Sequence, residues 1–194
     1  MPKTWGETLE GHREAVRQAV MEAALALASE RGFQKVSMSD VAARAAITRA
    51  TLYKYFSDVD SIFEEWHRST VHSHLAQFAE IADGVGDPGE KLSEILEAYA
   101  MTVFRHHGTR FASMLHRQDH ARKAEASLVA LIEKLVLAGA RSGVFRKDIP
   151  PDELARFCHS SLSSAFMLSD ERAVRMAAGL VQDALSTRLR IDGN

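Results

Sequence analysis

The chain has 194 residues, 46% of them hydrophobic, which fits one large or two small globular domains and excludes a disordered polymer. A formal net charge of −2 gives no overall basic field, so any affinity for nucleic acid must come from local placement of Arg and Lys. Cys158 is the single cysteine, which excludes an intrachain disulfide, and no apolar window reaches the length of a membrane span or a signal core. A soluble cytoplasmic protein with no membrane partner is expected.

Proline occurs only at positions 2, 88, 150 and 151, and helix-period patterns fill the stretches between. Residues 1 to about 10 read as a short flexible arm. The first predicted helix carries Val16, Val20, Ala23, Ala24 and Leu27 on one stripe and stops at Gly32, a left-handed end residue. Ser37 and Asp40 make a capping-box-like start for a second helix with inner residues Val41, Ala42 and Ala45. The turn Ala45-Ala46-Ile47 leads to Thr48, the expected N-cap of a third helix whose inward residues are Leu52 and Phe56. Ser57 and Asp60 repeat the capping signal for a long fourth helix that begins its stripe with Val59, Ile62, Phe63 and Trp66 and resumes it at Phe78 and Ile81.

After the linker 84–89, Asp87 as N-cap, Pro88 at N1 and Glu90 at N3 open a fifth helix over about 88–106. A short sixth spans Phe111, Met114 and Leu115, and a seventh over about 121–141 ends at Gly143. Pro150-Pro151 starts an eighth, with Leu154, Phe157, Cys158, Leu162, Ala165 and Phe166. Ser169-Asp170-Glu171 restarts the chain as a ninth. The expectation is an all-α protein of about nine helices. Its domains are a three-helix helix-turn-helix DNA-binding domain over 1–57 and an all-helical regulatory body over 58–194, to which the family resemblance given below assigns ligand binding and dimerisation.

Residues 37–56 supply what a DNA-reading helix-turn-helix needs: a packed first helix, a tight turn, and a second helix with outward donors. Arg49 suits a bidentate pair to guanine, and Thr48 and Thr51 suit phosphate or a thymine methyl. Lys54 suits phosphate neutralisation, while Tyr53 and Tyr55 join an aromatic face to a hydroxyl. Ser37 and Ser39 stand at a helix N-terminus, where free N–H groups favour phosphate. Charge is consistent with this: residues 1–57 hold 8 Lys/Arg against 6 Asp/Glu, and the remainder holds 16 against 20. The same pattern also permits a helical hairpin that is purely structural.

Residues 12–66 resemble the N-terminal domain of the tetracycline-repressor (TetR) family of bacterial transcriptional regulators. The matching text is Ala28-Ser-Glu-Arg-Gly-Phe33, Val36-Ser37, Asp40-Val41-Ala42, Ile47-Thr48 and Thr51-Leu-Tyr-Lys-Tyr-Phe56, which contains the family's Thr-Leu-Tyr-x-x-Phe. The resemblance implies a homodimer on a roughly palindromic double-stranded operator. It places Arg49, Ala50, Tyr53 and Tyr55 at bases, and Ser37, Thr48, Thr51 and Lys54 largely at phosphates. Three positions depart from the family pattern: Ala46 and Ala50 stand where glycine is frequent, and Val59 where lysine is frequent.

The resemblance also implies a small-molecule pocket in the body and a dimer interface on the last two helices. Tyr99, Met101, Phe104, Phe111, Met114, Phe157 and Phe166 are the pocket candidates, a deformable and aromatic set suited to an apolar or aromatic effector. Leu162, Ala165, Ala177, Leu180, Val181 and Ala184 are the interface candidates. The bland reading of both sets is ordinary core packing. His116 and His120 are one turn apart, with His72, His74, His106 and His107 available, yet no metal-binding arrangement follows from them and no cofactor is expected. Phosphate-loop, nucleophile-elbow and paired-acid signatures are missing from the sequence, so the expectation is a ligand-responsive repressor, not an enzyme. The alternative is an all-helical ligand-binding module or enzyme without DNA affinity.

Overall fold

The computed structural model describes residues 5–106 and 119–187. These residues form an all-α protein of eight helices: α1 (Trp5–Arg31), α2 (Met38–Arg44), α3 (Arg49–Tyr53), α4 (Val59–Asp83), α5 (Pro88–His106), α6 (Asp119–Ser142), α7 (Pro151–Leu162) and α8 (Glu171–Asp183). Short 3-10 turns occupy Phe33–Lys35 and Ala165–Met167, and a single isolated bridge joins Phe145 to Ser186. The short helix expected around Phe111, Met114 and Leu115 lies outside the described residues. Packing divides the chain between Thr70 and Val71, inside α4.

In the first unit, α1 begins at Trp5, so residues 5–10, expected as an arm, form its opening turns. Glu7, Leu9 and Glu10 are good helix formers with no proline among them. The core consists of Val20, Ala24 and Leu27 from α1, Val41 and Ala42 from α2, Leu52 and Phe56 around α3, and Ile62 and Phe63 from α4. The first turns of α4 thus belong to this unit. The N-cap of α4 is Asp58 and not Ser57: Asp58 Oδ1 accepts from the Ser61 N–H at 2.7 Å while the Ser61 hydroxyl sits 3.3 Å from the Asp58 N–H.

The α2–α3 turn has a specific construction. The Ile47 N–H donates to the Ala42 carbonyl (3.0 Å) and the Ala46 N–H to the Ala43 carbonyl (3.3 Å), the two bonds of a Schellman end. That end requires a left-handed residue, and Ala46 supplies it at φ 55°, the one non-glycine at positive φ among the described residues. An L-residue with a Cβ costs about 1–2 kcal/mol there, part of which glycine returns through its freer unfolded chain. Ala46→Gly is therefore expected to stabilise the protein by roughly 0.5–1 kcal/mol, read as a rise in the denaturation midpoint. A fall in the midpoint would contradict the strained turn.

In the second unit α5 packs against α6 and α8, and α6 packs against α7. Their shared core includes Phe78, Leu92, Leu96, Ile132, Phe145, Leu154, Leu162 and Val174. Asp87 caps α5 as its sequence announced, with Oδ1 accepting from the Gly89 N–H at 2.7 Å. Asp170 caps α8 through the Ala173 N–H at 2.8 Å. Helix α6 closes on Gly143 (φ 85°) in a second Schellman end: Val144 N–H donates to Gly139 O at 2.8 Å and Gly143 N–H to Ala140 O at 3.3 Å. Helix α7 stops at Leu162, so Ala165 and Phe166 fall in the 3-10 turn and not in the helix expected to reach them.

Candidate nucleic-acid interface and helical body

Thr48 terminates the α2–α3 turn in an extended conformation, and its Oγ1 accepts from the Thr51 N–H at 3.1 Å. The two threonine hydroxyls lie 2.8 Å apart, so each is already oriented before any ligand arrives. Helix α3 has only five residues and ends in a tightened turn, with Lys54 N–H bonded to Thr51 O and Tyr55 N–H to Leu52 O. The helical stretch is thus shorter than expected, because the capping structure at Asp58 has to begin the next helix almost at once. Leu52 and Phe56 point inward and are buried. Thr48, Arg49, Ala50 and Lys54 are exposed, Tyr53 is 49% exposed, and Thr51 and Tyr55 are half-buried.

Charge around this face is sorted. Arg44 grips the Glu30 carboxylate with Nη2 2.6 Å from both oxygens, and Arg31 lies 3.7 Å from Asp40. The Arg44 hydrogen bond holds the Glu30 carboxyl below its ordinary range. Among the described residues, Lys35, Arg49 and Lys54 have no ion-pair partner, which leaves their charges available to an outside anion. At the start of α2, Ser39 is exposed, but the Ser37 hydroxyl donates to Asp40 Oδ2 at 2.6 Å and accepts from the Asp40 N–H. A phosphate at Ser37 would have to share that hydroxyl with a carboxylate.

In the body, Tyr99, Met101 and Phe104 are half-buried and pack against the core. Phe157 and Phe166 are largely exposed, while Phe111 and Met114 lie outside the described residues. Sequence reasoning missed His159, whose ring stacks on Tyr99 at 5.3 Å with its Nδ1 3.7 Å from Glu125 Oε1. The signal was present: His159 lies four residues after Ala155 and three before Leu162, both buried. Burial raises the Tyr99 phenol above its ordinary range, with Glu125 adding to the effect, and pushes the Cys158 thiol up to about 12, which leaves it unreactive.

Burial lowers the His159 value, and Glu125 opposes it only in part. The unfolded chain therefore takes up the proton more readily than the folded one. The contribution of His159 to stability is complete above the ordinary histidine value of about 6.5 and drains away as pH falls through and below it. Thermal melts are expected to drop between pH 7.5 and 5.5, with His159→Phe losing this part of the pH dependence. A variant with the same pH profile as the parent would contradict it.

Of the expected interface residues, Leu162 is 1% exposed and Ala165 3%; both are core residues of this chain and have no surface to offer a partner. Val181 is also buried, and Ala177 and Ala184 are half-buried against the same core. Leu180 is 68% exposed. Met167 (76%) and Met176 (60%) join it as exposed apolar residues that the sequence reading passed over.

No described helix is long and apolar enough to cross a membrane. His74 stacks on Phe78, and among the described residues no three His, Cys, Asp or Glu side chains come together as a metal site.

Residues 20–66 match the family described as "Bacterial regulatory proteins, tetR family". The chain is 26% identical over 159 residues to the HTH-type transcriptional repressor KstR2 of Mycobacterium tuberculosis, covering 76% of this chain and 78% of that protein. Its fold resembles that of a TetR/AcrR-family transcriptional regulator from Thermobifida fusca (TM-score 0.76, 21% identity, 90% of this chain and 98% of that one). It also resembles SmeT of Stenotrophomonas maltophilia in its complex with triclosan (TM-score 0.68, 15% identity, 90% and 93%).

Proposed function

From the match of residues 20–66 to the tetR family of bacterial regulatory proteins, we propose that the chain is a cytoplasmic, ligand-responsive transcriptional repressor of that family, acting as a homodimer on a roughly palindromic operator. The observation that carries this reading is the exposed polar side of α3 and its end, where Arg49 and Lys54 have no ion-pair partner among the described residues and Tyr53 is 49% exposed. Arg49, Ala50, Tyr53 and Tyr55 meet base edges. Thr48, Thr51 and Lys54 hold phosphates, with Ser39 and, in competition with Asp40, Ser37 at the margin.

The dimer forms through α7, α8 and the turn between them, where Phe157, Met167, Met176 and Leu180 present apolar surface. Two heads then sit in successive major grooves about 34–36 Å apart. The effector is a small apolar or aromatic molecule bound near Tyr99, Met101 and Phe104, in keeping with the triclosan held by SmeT. It releases DNA by binding more tightly to a state whose heads do not fit the operator spacing. Titration of labelled random-sequence duplex at low salt, followed by anisotropy, tests the DNA half of the reading. Binding that weakens steeply with salt is expected; no binding at any salt overturns it. Sedimentation at micromolar concentration tests the dimer, and a monomer there overturns that half.

A further inference from the structure

We propose that Arg17 is a positioning residue for DNA recognition: it pins the C-terminal end of α3 by lying over the Phe56 ring while its guanidinium is locked to Glu65 of α4. The proposal rests on the DNA-binding reading of α3 given above. Arg17 Nη2 is 2.9 Å from Glu65 Oε1, and its Cζ is 5.2 Å from the centroid of the Phe56 ring. Arg68 grips the second Glu65 oxygen from the same helix. The Arg17 and Glu65 side chains are only 29% and 21% exposed, so solvent screens the pair less than it would a surface bridge. Burial alone would raise the Glu65 carboxyl, yet the hydrogen bonds from Arg68 and Arg17 bring it below its ordinary range.

This matters because of the length of α3. Five residues cannot hold a helical conformation or an orientation by themselves, so the segment is placed by what it packs against. Inside, it has two anchors, Leu52 and Phe56. The Leu52 anchor is non-directional. Phe56 closes the last turn through its N–H to Leu52 O at 3.0 Å, and its ring face meets a planar cation that cannot shift without leaving Glu65. One guanidinium thus ties α1, α4 and the end of α3 together. The aim of Arg49 and Tyr53 at base edges follows from that tie, while phosphate attraction, which tolerates small displacements, does not.

The test uses the full chain with two duplexes of equal length: one selected by the wild-type protein from a random pool, and one of random sequence. For Arg17→Met, affinity for the selected duplex is expected to fall about tenfold, equivalent to about 1.4 kcal/mol. The random duplex should lose no more than about twofold, and the salt slope should not change, because Arg17 neutralises no phosphate. Glu65→Gln should move the selected duplex in the same direction. Arg17→Lys, which keeps the pair but not the stacked plane, should fall between. In the free protein, amide exchange at Tyr55 and Phe56 should speed up in Arg17→Met while Leu92 and Leu96 in the body stay unchanged.

Equal losses on both duplexes overturn the proposal, as does unchanged affinity for the selected one. So does a salt slope shallower by about 0.9, which would mean that Arg17 touches phosphate itself. If the wild-type chain bound no duplex, the DNA reading would fail, and the exchange comparison would still decide whether Arg17 holds the end of α3.

Discussion

Replacing Gly139 with alanine is expected to cost about 3 kcal/mol and to lower the melting temperature by roughly 6–12 °C. The direction is opposite to the usual one, since glycine-to-alanine inside a helix ordinarily stabilises by about 1 kcal/mol. A Cβ built on Gly139 would overlap Cδ2 and Cε2 along one edge of the Phe145 ring, and that residue is 1% exposed, so the ring would have to move within the core to admit it. The backbone is fixed as well, because the Gly139 carbonyl accepts from both Val144 and Phe145 at the end of α6. Gly11 in α1 is the control. A Cβ there meets nothing within 4 Å, so Gly11→Ala should stabilise by roughly 0.5–1 kcal/mol. Circular-dichroism melts of both variants decide the matter. A Gly139→Ala protein as stable as its parent would mean that Phe145 does not seal α6 in this way.

The second large effect concerns DNA. Arg49→Ala is expected to lose roughly 1–3 kcal/mol of discrimination between the preferred duplex and a random one, with little change in the affinity for random sequence. Lys54→Ala should weaken both duplexes alike and make the salt slope shallower by about 0.9. The contrast follows from position. Arg49 is the first residue of α3, beside the oriented Thr48 and Thr51 hydroxyls, whereas Lys54 lies past its end. Titrations at three salt concentrations separate the two. If both variants lost affinity equally on both duplexes, the division between base reading and phosphate holding would be wrong.

Local chemistry was legible in the sequence wherever it acts over three or four residues. Ser37, Thr48, Asp87 and Asp170 cap helices because their side-chain oxygens reach a backbone N–H three positions or fewer away, and spacing alone reveals that. The miss at the start of α4 was equally local: Ser57 and Asp58 are both capping residues, and the reciprocal partner of Asp58 turned out to be Ser61. What stayed hidden lies between residues far apart in the chain. The Arg17–Glu65–Phe56 tie and the choice of Tyr99 as the stacking partner of His159 are tertiary contacts: periodicity puts His159 on the inward side of its helix but says nothing of what it meets there. Burial misled in the same way: Leu162 and Ala165 sit on the stripe expected to face a partner, but the chain's own core takes them. The exposed Met167 and Met176 have no cue in composition.

Whether the outward side of α3 reads duplex DNA is decided by selection from a random duplex pool with the wild-type chain. An enriched, roughly palindromic site is expected, with half-site centres about 10–10.5 base pairs apart or a multiple of that spacing. The same selection with Arg49→Ala should return a site with at least one base position relaxed. A wild-type pool without enrichment after repeated rounds, or an Arg49→Ala pool identical to the wild-type one, would contradict DNA reading by α3.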